Sequence, residues 1–225
     1  MSPPATANAR RRGRSSSKAR SRARSRARLR AGRRRLTILI GVVLGVTIVA
    51  LVAARGPVED AVLEITLPLR HEDIIRQQAA DKDVDAALIA AICYQESKFQ
   101  DRTSRAGARG VMQLLPSTAD YIARKSGGTQ FEHGDLADPQ INIAYGSWYL
   151  RYLLDHYSGN ERLAIAAYNA GETNVDEWVE DAGDPGKFTT DGDIPFSETR
   201  AYVASVEQKQ HQYRQKYGRE LGLHD

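Results

Sequence analysis

The chain has 225 residues with 32 basic and 28 acidic side chains, and its net charge of +4 averages two opposites. Residues 1–35 hold fourteen basic residues (thirteen Arg and Lys18) and no acid, so the other 190 residues carry 18 basic against all 28 acidic, a net of −10. The basic excess therefore describes a tail and argues against a nucleic-acid-binding folded surface, while the single Cys93 excludes an intrachain disulfide.

Taken in order, residues 1–35 alternate Ser-Arg and Ala-Arg without apolar periodicity, the composition of a disordered tail that adheres to something anionic. Anionic lipid and RNA both qualify. Residues 36–54 follow as nineteen residues without a charge, about 28 Å of helix, which predicts a transmembrane span. A cleaved signal peptide starts the same way, and Ala50, Ala53 and Ala54 leave a cleavage site open. The length of the apolar run, and of the basic stretch before it, favours an anchor. The positive-inside rule then puts the tail in the cytoplasm and everything after Arg55 outside, in a single-pass membrane protein for which no nucleic-acid partner is expected.

Residues 55–68 contain Gly56, Pro57 and Pro68 and read as a linker. Caps and turn clusters predict helices over 71–81, 85–99, 117–125, 139–157, 161–168, 173–180 and 197–217, with no alternating strand pattern and no internal repeat. The expectation is one all-α, α-rich domain over 69–217 and a C-terminal tail over 218–225.

The helix over 85–99 is the informative one. Asp85 is a plausible N-cap, no Gly or Pro interrupts the run, and Ile89, Ile92 and Glu96 share one stripe at i, i+3 and i+7. A carboxyl on an apolar stripe loses hydration, which raises its pKa toward that of a general acid. The alternative is a helix-end glutamate that fans into solvent. Cys93, inside the same run, reads as a packed and inert thiol.

Other constellations are missing: there is no HExxH, no GxSxG and no phosphate-cradling glycine loop, and the histidines at 71, 133, 156, 211 and 224 lack metal-ligand spacing. No metal and no cofactor is expected. Between Asp101 and Asp120 the chain carries no acid, so a two-carboxylate glycosidase would not find its second group in the segment following Glu96.

Gln95-Glu-Ser-Lys-Phe99, Ser104-Arg-Ala-Gly-Ala108, Gly110-Val-Met-Gln-Leu-Leu-Pro116, Ala167-Tyr-Asn-Ala-Gly171 and Ile194-Pro-Phe-Ser-Glu-Thr-Arg-Ala-Tyr-Val203, in this order, resemble the catalytic domain of the soluble-lytic-transglycosylase family. The resemblance covers roughly 69–217 and implies a goose-type-lysozyme-like fold acting on bacterial peptidoglycan. It makes Glu96 the catalytic acid and base, and Ser104 and Gln113 polar groups that position sugar, with Met112 their apolar neighbour. It also makes Tyr168 and Asn169 cleft residues, with the tyrosine hydroxyl aimed at the acid, and Glu198 a further acidic position flanked by Arg200 and Tyr202.

Each of these also has a plainer reading. Tyr168 and Asn169 fit the end of a helix with Gly171 as its C′ residue, and Glu198-Thr-Arg200 fits a salt-bridged helix start. Tyr145, Trp148, Tyr149 and Tyr152 fit core and rim packing, as does Trp178. The implied activity is lytic cleavage of the bond between N-acetylmuramic acid and N-acetylglucosamine to a 1,6-anhydro product. A hydrolytic muramidase and a non-catalytic wall-binding module are the alternatives.

Overall fold

A computed structural model describes Leu44 and residues 65–128, 130–183 and 188–223. The chain divides after Val62, and the helical domain lies in the second unit, Leu63–Asp225. The expected tail (1–35), span (36–54) and most of the linker (55–68) fall outside the described residues, apart from Leu44, which is helical. Among the described residues no helix is long and apolar enough to cross a membrane.

The domain is built from α1 (Glu72–Lys82), α2 (Ala86–Ser97), α3 (Pro116–Ser126), a 3-10 turn (His133–Ala137), α4 (Pro139–His156), α5 (Glu161–Ala170), α6 (Glu172–Ala182), a single turn α7 (Thr190–Asp193) and α8 (Ser197–Tyr217). No strand occurs among the described residues, only isolated bridges pairing Arg109 with Thr103 and Leu114. The start signal expected at Asp85 is present, and others of the same kind join it. The side chains of Asp85, Asp138 and Asn160 each accept a backbone N–H of the first turn, and Pro116 and Pro139 open their helices where a missing donor costs nothing. Gly171 ends α5 and starts α6 at φ 89.

Helix α2 is the axis of the core. Every residue from Ala86 to Cys93 is buried, so the helix is enclosed on all sides instead of presenting one apolar stripe. Its small alanines let α8 lie close against it, α1 packs on it as well, and residues of α4 and α5 belong to the same core. Burial of Cys93 also pushes its thiol far above the ordinary range, which leaves it unreactive. The packed region extends past 69–217 at both ends: Leu67 and Leu221 join this core, and the hydroxyls of Tyr213 and Tyr217 donate to the carbonyls of Pro68 and Leu67 at 2.6 and 2.9 Å.

A second, smaller core gathers Leu114, Ala119, Ile122 and Leu136 beneath α3 and the 3-10 turn. Tyr149 and Tyr168 pack against both cores. The cleft opens along this seam.

Candidate active site

A cavity of about 470 Å³ lies on the seam, lined by Glu96 from the end of α2, Ser104, Gln113 and Leu115 from the connecting loop, Thr118 of α3, Tyr149 of α4, Tyr168 to Gly171 from the end of α5, and Glu198 from the start of α8. Six of the seven residues singled out from sequence therefore meet in one place.

The exception is Met112. Its side chain is fully buried, packed so closely on Gly146 that a Cβ there would sit 2.4 Å from the sulfur. It contributes its backbone to the site: the carbonyl of Met112 accepts the hydroxyl of Tyr168 at 3.0 Å. Tyr168 feels the Glu96 charge, but its hydroxyl bonds to Met112 and not to the acid. The phenol on the acid is Tyr202, one turn beyond Glu198 on α8, whose hydroxyl donates to Glu96 Oε1 at 2.6 Å.

The environment of Glu96 follows from where α2 stops. Ser97 donates to the Val111 carbonyl at 2.6 Å, and Lys98 and Phe99 both turn left-handed, at φ 55 and 62. These two non-glycine residues in an unfavourable region cap the helix abruptly and hold its last turn inside the domain. Glu96 is consequently half-buried, and loss of hydration pushes its carboxyl up from an ordinary 4.5 to about 7, against smaller opposing effects of the Tyr202 hydrogen bond and the Arg102 charge. Arg102 reaches the backbone carbonyl of Glu96. Burial, followed by the nearby Glu96 charge, holds the phenols of Tyr168 and Tyr202 well above their ordinary range. Both stay neutral donors.

The remaining lining groups are held by local bonds. Ser104 Oγ accepts the Ala108 N–H at 3.0 Å, and Gln113, at φ 49, donates its amide to the Arg102 and Gly110 carbonyls at 2.8 Å each. Asn169 Oδ1 accepts the Thr199 hydroxyl at 2.9 Å. Glu198 is exposed, and Arg200 bonds to the carbonyls of Ile194 and Pro195, so the two form no salt-bridged helix start. Trp178 is buried edge-on to Phe196, whereas Tyr149 reaches the cleft from a half-buried aromatic row.

Two arrangements outside the cavity lining were not apparent in the sequence. Asn142, fully buried in α4, accepts the Met112 N–H at 2.7 Å and donates to the carbonyls of Arg109 and Leu136, both at 3.0 Å. Gly110 makes room for it: a Cβ at that position would lie 2.1 Å from Asn142 Nδ2, and its φ of 78 already disfavours a side chain. The other is a convergence of His156, Glu172 and Asp176, whose ligand-type atoms lie within 4.8 Å of one another although the histidine is distant in sequence from the acids. Its imidazole is placed between the carboxylates, Nε2 at 2.9 Å from Asp176 and Nδ1 at 3.8 Å from Glu172.

Comparison with known proteins adds a family to this geometry. The family model described as the transglycosylase SLT domain matches residues 73–190. The soluble lytic murein transglycosylase of Salmonella typhimurium is 34% identical over 164 residues, 72% of this chain and 25% of its own length. The membrane-bound lytic murein transglycosylase F of Pasteurella multocida is 40% identical over 96 residues, 40% of this chain and 18% of its own. Among solved structures, an inactive mutant of the lytic transglycosylase Slt from Pseudomonas aeruginosa shares the fold with a TM-score of 0.62 at 35% identity, covering 69% of this chain and 26% of that one. The chain spans about a quarter of the length of the first soluble relatives it matches. With more than half of its residues inside the family model, the chain belongs to the transglycosylase SLT domain family.

Proposed function

We propose that the domain is a peptidoglycan lytic transglycosylase that cleaves the β-1,4 bond between N-acetylmuramic acid and N-acetylglucosamine, with Glu96 as acid and then base. The observation that carries this reading is a half-buried carboxyl raised to about 7 on a cleft wall, with a neutral phenol as its partner. Tyr202 donates to Oε1, so Oε2 is the oxygen that holds the acidic proton.

The steps balance with one acid. Glu96 gives its proton to the glycosidic oxygen, the bond from that oxygen to muramic C1 breaks, and positive charge develops at C1. The carboxylate then takes the proton of the C6 hydroxyl as O6 bonds to C1. Glu96 is restored, the muramic end is a 1,6-anhydro ring, and no water is consumed. An internal nucleophile enjoys a high effective molarity, which removes the need for a second enzymic carboxylate. Ser104, Gln113, Tyr168, Asn169 and the Met112 backbone orient the strand without placing another anion beside C1.

Glu198 is the observation that favours the alternative, hydrolysis, because it puts a second carboxyl on the lining. Mass spectrometry of digested cell wall separates the two. Anhydro-muramic ends are expected; products bearing an added water throughout would establish hydrolysis instead.

We further propose that residues 36–54 anchor the enzyme in the cell membrane with the domain outside. Support comes from the nineteen uncharged residues, the basic tail before them and the presence of membrane-bound enzymes among the relatives. A reporter fused after Asp225 is expected to be active only outside the cytoplasm.

A further inference from the structure

Helix α2 ends with more carbonyls than donors. The Lys98 N–H takes the Tyr94 carbonyl at 2.9 Å, Phe99 takes that of Cys93 at 3.3 Å, and Gln100 takes that of Ser97 at 3.2 Å. Among the described residues no backbone N–H reaches the carbonyl of Glu96, an orphan of the kind every helix end leaves. Arg102 donates to it instead, through Nη2, from six residues further on.

Arg102 is itself held by the loop. Its own carbonyl accepts the Gly110 N–H at 3.0 Å and the amide of Gln113, which lines the cleft, at 2.8 Å. One residue therefore ties the loop wall of the cleft to the backbone of the acid, alongside the bond from Ser97 to the Val111 carbonyl. Its charge is also uncommitted. Unlike Arg76, Arg151 and Arg214, which pair with carboxylates, the exposed Arg102 makes no ion pair among the described residues, and its field falls on Glu96. The other ionisable groups around Glu96 are Cys93 on its own helix, Tyr149 of α4, Tyr168 of α5, and Tyr202 and Glu198 of α8. Burial pushes up the thiol and the three phenols, which stay neutral, and Glu198 is an exposed carboxyl on the cavity lining.

We infer that Arg102 is a positioning residue for Glu96: its guanidinium pins the last turn of α2 to the loop, and its positive charge steadies the carboxylate between proton donation and proton recovery. The inference rests on the reading of Glu96 as acid and then base. In that sequence the carboxyl loses its proton to the glycosidic oxygen, and a charged carboxylate then stands in a poorly hydrated place until the C6 hydroxyl gives up its own. Burial favours the neutral form and the first step. A guanidinium at the rim, always charged and fixed by the bond it makes, lowers the cost of the ionised state that follows.

The test is the titration of Glu96 in the full chain, read by carboxyl carbon NMR and by the pH profile of the rate on purified peptidoglycan. Arg102→Gln removes the charge and should move the midpoint and the alkaline limb upward together by roughly half a pH unit, about a threefold change in the proton dissociation constant and the order expected of one exposed charge. Arg102→Lys, with the charge kept, should stay near the parent. Added salt should push the parent toward the Arg102→Gln variant, because an exposed charge is screened, and leave that variant where it is. Arg124→Gln, at an exposed base on α3, should change neither reading. A midpoint unmoved or lowered by Arg102→Gln, equal displacements in Arg102→Gln and Arg102→Lys, or the same displacement in Arg124→Gln would overturn the inference. A midpoint that moved while the rate profile stayed in place would show that Glu96 is not the acid of the reaction, and the inference would fall with that reading.

Discussion

Glu96 stands on a helix enclosed from Ala86 to Cys93 without a break, whereas the loop that forms another wall of the same cleft is held by single hydrogen bonds and left-handed residues. On the helical side apolar area does the positioning, with α8 and α1 packed on the helix and one core shared with α4 and α5. On the loop side Asn142 alone joins the backbones of Arg109, Met112 and Leu136. Redundant packing tolerates a change at any one contact, while a lone buried amide with three bonds does not. The contrast also separates roles. Apolar enclosure sets the proton affinity of the acid, and the polar loop sets the shape of what lies beside it.

The largest expected effect tests the helical side directly. Glu96→Gln should lower wall-lytic activity by about a thousandfold or more, the scale of a lost general acid and base; a rate on purified peptidoglycan within tenfold of the parent would remove Glu96 from the mechanism. On the loop side, Asn142→Ala takes their side-chain partner from the Met112 N–H and the Leu136 carbonyl, and leaves the Arg109 carbonyl only the Leu114 N–H; it should cost about 3 kcal/mol of unfolding free energy in denaturant titration. Gly110→Ala should be comparably damaging, since its Cβ meets the Asn142 amide. Losses near 0.5 kcal/mol at both positions would show that the loop does not depend on this junction.

The next effect is smaller and depends on pH. Glu96 holds its proton to about 7 in the folded chain, against 4.5 ordinarily. Below 4.5 both states are protonated and the group costs nothing. Between those values the unfolded chain releases the proton first, so the stability associated with neutral Glu96 is lost as pH rises through 7. Glutamine escapes this loss. Glu96→Gln should therefore raise stability at pH 8 by about 2 kcal/mol and lose that advantage below pH 4.5; an equal difference at both pH values would deny that ionisation is its source. The smallest effect concerns Tyr202→Phe. Its hydroxyl favours the charged carboxylate, so removing it should shift the alkaline limb of the activity profile upward, by roughly half a pH unit to one unit. A downward shift would contradict the assigned direction of that hydrogen bond.

The same contrast explains what the sequence could disclose. Helices announced themselves through local signals, such as Asp85 and Gly171, and α8 spans the expected 197–217, whereas α2 stops at Ser97, short of 99, because Lys98 and Phe99 turn left-handed. Glu96 was legible because apolar residues surround it within two turns, although the single stripe inferred for α2 is in fact full enclosure. Tyr202 was named only as a neighbour of Glu198. Its bond to Glu96 spans 106 residues and depends on how α8 crosses α2, which no local pattern encodes. Asn142 looks in sequence like any polar helical residue, and Met112 like any cleft-side apolar one. Only the fold shows that the first is the buried junction and the second offers its carbonyl rather than its side chain.

The proposed chemistry depends on the protonation of a single group, and the titration of Glu96 itself measures it. Carboxyl carbon resonances followed by NMR across pH 3–9, with Glu96→Gln to assign the signal, should give a midpoint near 7 for Glu96, as burial of its carboxyl requires. A midpoint near 4.5 would mean that Glu96 is a solvated carboxylate at neutral pH, and a single-acid mechanism in this cleft would not stand.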